Sequence, residues 1–577
     1  MPEVRPTGPG GSVSKRYKPF LDEWDRCFID AVEEPGGYYM QLVQGQVPHE
    51  LEGTLFRNGP GKFTIGGREI DHPYDGDGFV VSMTISGGKV FFRSRFVQTA
   101  EYKAEAQRGE VLFRGTFATQ RRGHPLSNVL DLYVKNTSNT NVVCWGGKLL
   151  SLFEAGQPYE LDPGSLRTMG LEDLRGHLPP GLPFDMGSRP ANGVLGSLAS
   201  LHQKRLGTAA SLPPELFRAG GEAATAHPHL DSNTGRLVGF SYQVRPGGLL
   251  GGPLMATQFH FWELDSEGRM AAERRYDMPG FAFLHDFCVT ENYYVFFQNP
   301  VTVNNAAYLF GTAPAGSCVR WVQNVPTEVH VVPRPGAAPH LSPRTFTAPP
   351  CFIFHHANGY EAQGGRKIIL DSTHYDSLLQ IVLDSIHYDS LPAVGKEALA
   401  QQGVDGDVAF KSRLRRVELD LDSGSLSVRT HFSAYLEMPA INEAYFGRKH
   451  RYVYGYKSDF DNPQIGIAKI DTEQRQADVW MPGYQRFASE PKFVPRPGAT
   501  AEDDGWLLTV VNHSGAPRPA IAAMSPPFAG RGTSYLVILD ATNVRAGPVA
   551  VLQHRSCVPS GLHGSFVPAC HGLPHWE

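Results

Sequence analysis

"RVELDLDSGSLSVRT", residues 416–430, carries the pattern that decides the fold. Val417 and Leu419 alternate with Glu418 and Asp420, a short D-S-G cluster follows, and Leu426 and Val428 resume the alternation. A period of two on both sides of a brief Gly-containing turn is the pattern of an antiparallel hairpin. The same unit recurs along the chain, as an apolar run, an Asp or Ser, a small polar pair or Gly, and another run. It appears in "SMTISGGKVFF" (82–92), "YELDPGSLRTMG" (159–170), "HLDSNTGRLVGF" (229–240), "FWELDSEGRM" (261–270), "GIAKIDTEQRQADVW" (466–480) and "LVILDATNVRAGPVAVL" (536–552). Gly (62) and Pro (45) supply the turns, and amphipathic helical periodicity is scarce. Hairpins spread widely and unevenly over the chain predict an all-β protein, a β-propeller with long inserted loops more than a compact sandwich.

No composition shift splits the chain, so residues 45–577 are read as one domain behind an N-terminal extension, 1–44. Two stretches break the pattern. Residues 176–222 combine "HLPPGLPFDMGSRPANG" with the mildly helical "VLGSLASLHQKRLGTAA" and read as a surface insertion. Residues 368–380, "IILDSTHYDSLLQ", are nearly copied in 381–393, "IVLDSIHYDSLPA", a tandem unit too short to be a propeller blade.

Bulk composition excludes several function classes. Of the 577 residues 41% are hydrophobic and 19% charged, ordinary for a chain with a sizeable core. A net charge of -5 with only short basic runs offers no stripe that would track phosphates, so no nucleic-acid partner is expected. The seven cysteines are dispersed with no C-x-x-C spacing, against a disulfide framework or a thiolate zinc site. Reduced thiols fit a cytoplasmic or plastid setting. No apolar run reaches the length of a membrane-spanning helix, and "MPEVRPTGPGGSVSKRYKPF" has no signal-peptide core. "DHPYDGDGF" (71–79) suggests calcium, but Ser86 and Phe79 stand where an EF-hand starting at Asp75 needs acids. The phosphate loop, the H-E-x-x-H helix and the G-x-S-x-G elbow are absent from the sequence.

What is left is a set of histidines. "PCFIFHHANGYEAQGG" (350–365) runs an apolar strand into two adjacent imidazoles. His227 in "EAATAHPHLD", His285 in "GFAFLHDFCVT" and His563 in "PSGLHGSFVP" share that setting with His355: a small or apolar stretch before, a polar or turn-forming residue after. Each reads as a strand end aimed at a central axis, either a packed histidine or a metal ligand. Glu154, Glu437 and Glu490 close or interrupt apolar stretches, where a carboxylate is costly unless paired. Metal-bound imidazoles commonly give their second N–H to such a group.

Taken together these segments resemble the carotenoid cleavage oxygenase family over roughly residues 45–567. The resemblance rests on "LFRNGPGKF", "HPYDGDGFV", "NTNVVCWGGKLLSLFEAGQPYELDP", "TAHPHLD", "LHDFCVT", "FHHANGYE", "EMPAIN", "SEPKFVPRPGA" and "GLHGSF". It implies a seven-bladed β-propeller with a helical and loop cap over an axial Fe(II). The ligands it implies are His227, His285, His355 and His563, with His229 and His356 as mere neighbours. It also implies that Glu154, Glu437 and Glu490 orient His285, His355 and His563 respectively, and that Thr140 sits near an open metal position.

The implied activity is cleavage of a conjugated double bond of a carotenoid or apocarotenoid by O2, with one oxygen atom entering each carbonyl product. Residue type alone does not name the metal, since imidazole suits iron, copper and zinc. A polyene substrate requires an apolar tunnel, for which Phe117, Phe153, Phe283 and Phe354 are candidates beside a simple core-packing role. Stilbene-type cleavage and retinoid isomerisation are alternatives within the family, and a non-catalytic propeller scaffold is the alternative outside it. "EVLFRGTFATQ" (110–120) lacks the lysine expected of a stilbene cleaver. "RPGGLLGGPLMA" (245–256) is a candidate for peripheral membrane contact at the tunnel mouth.

Overall fold

Asp420 and the residues after it show how the opening hairpin closes. In the computed structural model its carboxylate accepts the backbone N–H groups of Asp422 (3.1 Å) and Ser423 (2.8 Å), and Gly424 takes φ +70°. The strands Arg413–Asp420 and Leu426–Phe432 then pair antiparallel, with Val417 and Leu419 buried on one face. Asp231, Asp265 and Asp471 make the same turn, each accepting the N–H of the residue two positions on. The recurring sequence unit is therefore an Asx-type turn that fixes strand register. The structure describes residues 18–122, 127–184, 197, 212–246, 255–322, 324–376, 412–515 and 532–574.

Strands dominate the described residues, and helices such as Ala100–Arg108 are few and short. The sheets are antiparallel apart from one parallel bridge, Ile465 with Phe487, which joins two parts of a ten-stranded sheet. The largest apolar clusters lie between neighbouring sheets. One runs from Phe240 and Phe261 through Phe287 and Phe296 to Leu414 and Val453. Each such ring, fully buried, stabilises the fold by about 1.5–3 kcal/mol before entropy is charged. Buried ion pairs also cross between sheets. Arg334 contacts Asp231 (2.8 Å) and Glu263 (2.9 Å), and Asp371, paired with Arg416 on the neighbouring strand of its own sheet (2.6 Å), reaches His450 (3.0 Å) outside that sheet.

Part of the expected N-terminal extension, 1–44, takes part in the sheets. Glu34–Tyr39 pairs with Lys89–Phe96, and Gln41–Gly45 pairs with Pro548–Gln553, so residues 34–45 are sheet strands. They were missed because "EPGGYY" and "QLVQG" are Gly-containing and lie on exposed edges, with little apolar alternation. Gly564–Val567 likewise pairs with Gly53–Lys62, so the end of the chain completes a sheet begun near its start. The flanks of the 176–222 stretch are not purely superficial, because Leu178, Leu182, Leu212 and Phe217 are buried. Residues 185–196 and 198–211 of that stretch lie outside the described residues, as do 377–393 of the duplication and 247–254 of the Gly-rich loop. The first copy of the duplication forms the strand Lys367–Tyr375.

Candidate metal centre

Four sheets each deliver one histidine from an edge strand or the loop beside it. His227 lies between Ala223–Ala224 and His229–Asp231, and His285 precedes Cys288–Val289. His355 is inside Phe352–Ala362, and His563 immediately precedes Gly564–Val567. The pairing of Phe352–Ala362 with Lys367–Tyr375 shifts register between Ile353 and His356 and again between His356 and Asn358. Successive side chains of a strand point to opposite faces, and here the adjacent imidazoles part. His355 turns to the other three histidines, while His356 shares a 2.6 Å hydrogen bond with Ser372.

One nitrogen of each of His227, His285, His355 and His563 lies within 4.8 Å of the others, and all four residues are buried. His227 Nε2 and His285 Nε2 are 2.9 Å apart, and His355 Nε2 is buried with no hydrogen-bond partner. Converging lone pairs of this kind, one of them orphaned, are the donor set of a cation. The structure thus brings together all four sequence-predicted ligands.

The three glutamates stand behind them. His355 Nδ1 is 2.7 Å from Glu437 Oε2, and His563 Nδ1 is 3.0 Å from Glu490 Oε1. A carboxylate at Nδ1 accepts the N–H there, keeping the proton on Nδ1 and leaving Nε2 as the lone pair facing inward. Glu154 Oε2 lies 2.8 Å from His285 Nδ1, a close polar contact without the alignment of the other two pairs. Burial would raise the Glu490 carboxyl, but Lys492, His563 and Arg57 more than offset it and hold it down to about 2. Burial opposes protonation of His355, yet the Glu437 carboxylate leaves its pKa raised. His227 has none of these three carboxylates; burial and the other three imidazoles push it well below the usual histidine range, as suits a neutral ligand.

Sequence reasoning missed three supports. Asp286, next to His285, accepts from the His356 N–H (2.8 Å) and shares a 2.7 Å hydrogen bond with His229 Nε2, so it ties together three ligand-bearing segments. Arg57, from "LFRNGPGKF", is buried and donates to the Glu490 carbonyl at 2.7 Å and to its carboxylate at 3.4 Å. Asp75, whose calcium reading failed, accepts the backbone N–H groups of Phe117 (2.9 Å), Ala118 (2.9 Å) and Thr119 (2.8 Å). A Cβ on Gly115 would stand 2.3 Å from that carboxyl carbon, so the approach requires glycine. The signal available for each was a charged residue inside an apolar or Gly-rich run, but its partner lies far away in sequence.

An apolar cavity of about 1040 Å³, counting its open mouth, adjoins the histidines. Phe117, Phe153, Phe283, Phe354 and Thr140 all line it, as do His285, His355 and His563. Phe354 lies edge-on to His285 at 4.9 Å, and Phe117 stacks on His72 at 4.7 Å. The Thr140 hydroxyl donates to Asn139 Oδ1 at 3.2 Å. Among the described residues the lining includes no lysine, and no helix is long and apolar enough to cross a membrane.

Residues 29–568 match the family described as retinal pigment epithelial membrane protein. The chain is 33% identical over 567 residues to the apocarotenoid-15,15'-oxygenase of Synechocystis sp., covering 97% of this chain and 98% of that protein. It is 28% identical to the carotenoid 9,10(9',10')-cleavage dioxygenase 1 of Phaseolus vulgaris, covering 91% and 86%. The crystal structure of cobalt-substituted Synechocystis ACO superposes with a TM-score of 0.75 at 32% identity, covering 95% of this chain and 98% of that one.

Proposed function

This chain belongs to the retinal pigment epithelial membrane protein family, that of the carotenoid cleavage oxygenases, and from that premise we propose that it is a dioxygenase cleaving a double bond of a carotenoid or apocarotenoid. The observation that carries the reading is the buried convergence of four histidines beside a large apolar cavity. We assign Fe(II) to the centre. His227, His285, His355 and His563 would hold it as neutral donors that leave its charge intact. Ferrous iron, when bound, supplies the activation of O2 next to an alkene.

The protein's own residues do the remainder. Glu437 and Glu490 keep the Nδ1 protons in place and so keep the facing nitrogens available; Glu154 stands behind His285, 2.8 Å from its Nδ1. Phe153, Phe283 and Phe354 wall the cavity beside the histidines, exclude water and hold a flat polyene by contact. Asp75 fixes the turn that carries Phe117, and Thr140 narrows the space next to the metal-binding nitrogens. The balance is simple. One C=C bond and one O2 give two C=O groups, and no reductant is consumed.

The sheets support a propeller of seven blades. Five sheets of four or five strands each contribute one unit. The ten-stranded sheet contributes two more, joined by the single parallel bridge between Ile465 and Phe487. The absence of lysine from the described lining argues against phenolate capture, which leaves stilbene cleavage as the weaker reading. The test is to load purified protein with iron, supply carotenoids and apocarotenoids of several lengths, and identify aldehydes by mass. Aldehyde pairs from at least one polyene are expected. Iron-loaded protein that cleaves none of them would overturn the proposal.

A further inference from the structure

The cavity has a wall that the domain boundary at residue 44 would have left out. The helix Lys18–Asp25, "KPFLDEWD", places Phe20, Leu21 and Trp24 at i, i+1 and i+4, a spacing that puts them on one face. All three line the cavity that adjoins the histidines. Leu21 and Trp24 are only partly buried despite being apolar.

The helix is held on several sides. Phe20 is buried edge-on against Phe460 (4.8 Å) and Phe487 (5.6 Å). Glu23 accepts from the Ser514 hydroxyl at 2.6 Å, and the Cys27 carbonyl accepts the Ser560 N–H at 3.1 Å. Beyond it, Asp30 accepts the N–H groups of Phe63 (2.6 Å) and Thr64 (3.0 Å) and pairs with Lys62 (2.6 Å). Trp24 then contacts Phe28 at 5.3 Å, Phe28 contacts Tyr74 at 6.2 Å, and Tyr74 contacts Phe117 at 5.6 Å. This row of rings joins the helix to Phe117, which also lines the cavity.

We propose that the helix Lys18–Asp25 is a specificity wall, with Trp24 and Leu21 setting the length and bulk of polyene that the cavity admits. The inference rests on the cleavage reading above. A rigid apolar wall discriminates by the space it leaves: filling it rejects longer chains, and emptying it admits them. Trp24→Ala enlarges the cavity, and Leu21→Trp reduces it.

The experiment compares kcat/KM for a short and a long apocarotenal in wild type, Trp24→Ala and Leu21→Trp, after each variant is shown to retain its iron and melting temperature. The long-to-short ratio is expected to rise about tenfold or more in Trp24→Ala and to fall in Leu21→Trp, the scale on which apolar pockets sort substrates by size. Quenching of tryptophan emission by bound apocarotenal, repeated in Trp24→Phe, reads the wall without turnover. Loss of a quenched component there supports the wall even if no polyene is cleaved, in which case the cleavage reading alone fails. Unchanged ratios in both variants, together with unchanged quenching, would overturn the inference.

Discussion

At the scale of single residues, the pairing of His355 with Glu437 and of His356 with Ser372 separates two imidazoles that the chain places side by side. Replacing His227, His285, His355 or His563 by Ala should abolish metal retention and cleavage, whereas His229→Ala or His356→Ala should keep bound metal. Metal analysis of the purified variants decides, and a fully metallated His355→Ala protein would refute the ligand set. Glu437→Gln keeps the volume but removes the charge that fixes the Nδ1 proton. Loss of such a partner typically costs about 10–100-fold in metal affinity or activity, measurable by competition with a chelator.

Residue-scale electrostatics also sets the acid limb of stability. Burial alone would raise the Asp371 carboxyl, but Arg416 and His450 more than offset it and hold its pKa well below the ordinary value. A depressed carboxyl contributes stability that is complete above its unfolded pKa of about 4 and lost as pH falls below it. Melting temperature should therefore drop steeply below about pH 4 in wild type and less steeply in Asp371→Asn. That variant should also be less stable at neutral pH, by about 3–5 kcal/mol, because it leaves Arg416 buried without its charge partner. Parallel melting curves for the two proteins across acid pH would remove Asp371 from the account.

At the scale of elements, the tandem copies meet a direct geometric demand. Lys367–Tyr375 pairs with Phe352–Ala362 on one side and Arg413–Asp420 on the other, so it holds the strand that carries His355. In the copy, Asp384, Ser385, His387 and Tyr388 repeat Asp371, Ser372, His374 and Tyr375. Ile386 replaces Thr373, whose hydroxyl donates to the His355 carbonyl at 3.2 Å. Deleting 368–380 should let the second copy take the same register, because lengthening or shortening a loop changes closure entropy only logarithmically. A folded, metal-binding deletion with an equal or higher melting temperature is expected. An unfolded or metal-free product would show that both copies are needed.

Elements also mark how far the sequence could be read. The Asp-led hairpins were legible because the turn chemistry is local, complete within four or five residues. The four histidines stood out as candidates, yet choosing His355 over His356 took the resemblance to a family, since adjacent strand residues point to opposite faces and the motif does not say which face meets the other histidines. Asp286, Arg57 and the helix Lys18–Asp25 were not legible. Their partners lie 70, 433 and more than 400 positions away, and separations of that size are a property of the fold.

At the scale of the whole molecule, four sheets distant in sequence each contribute one of the converging histidines, and Gly564–Val567 completes a sheet that begins at Glu34–Tyr39. A metal held this way ties the sheets to one another, so its removal by a chelator should lower the melting temperature as well as abolish turnover. The central claim is that this centre and its cavity deliver both atoms of O2 to one carbon–carbon double bond. The most direct test is cleavage under 18O2 by iron-loaded protein, with the products reduced at once to stop exchange with water. Label in both fragments is expected. Label confined to one fragment, or cleavage with none, would contradict it.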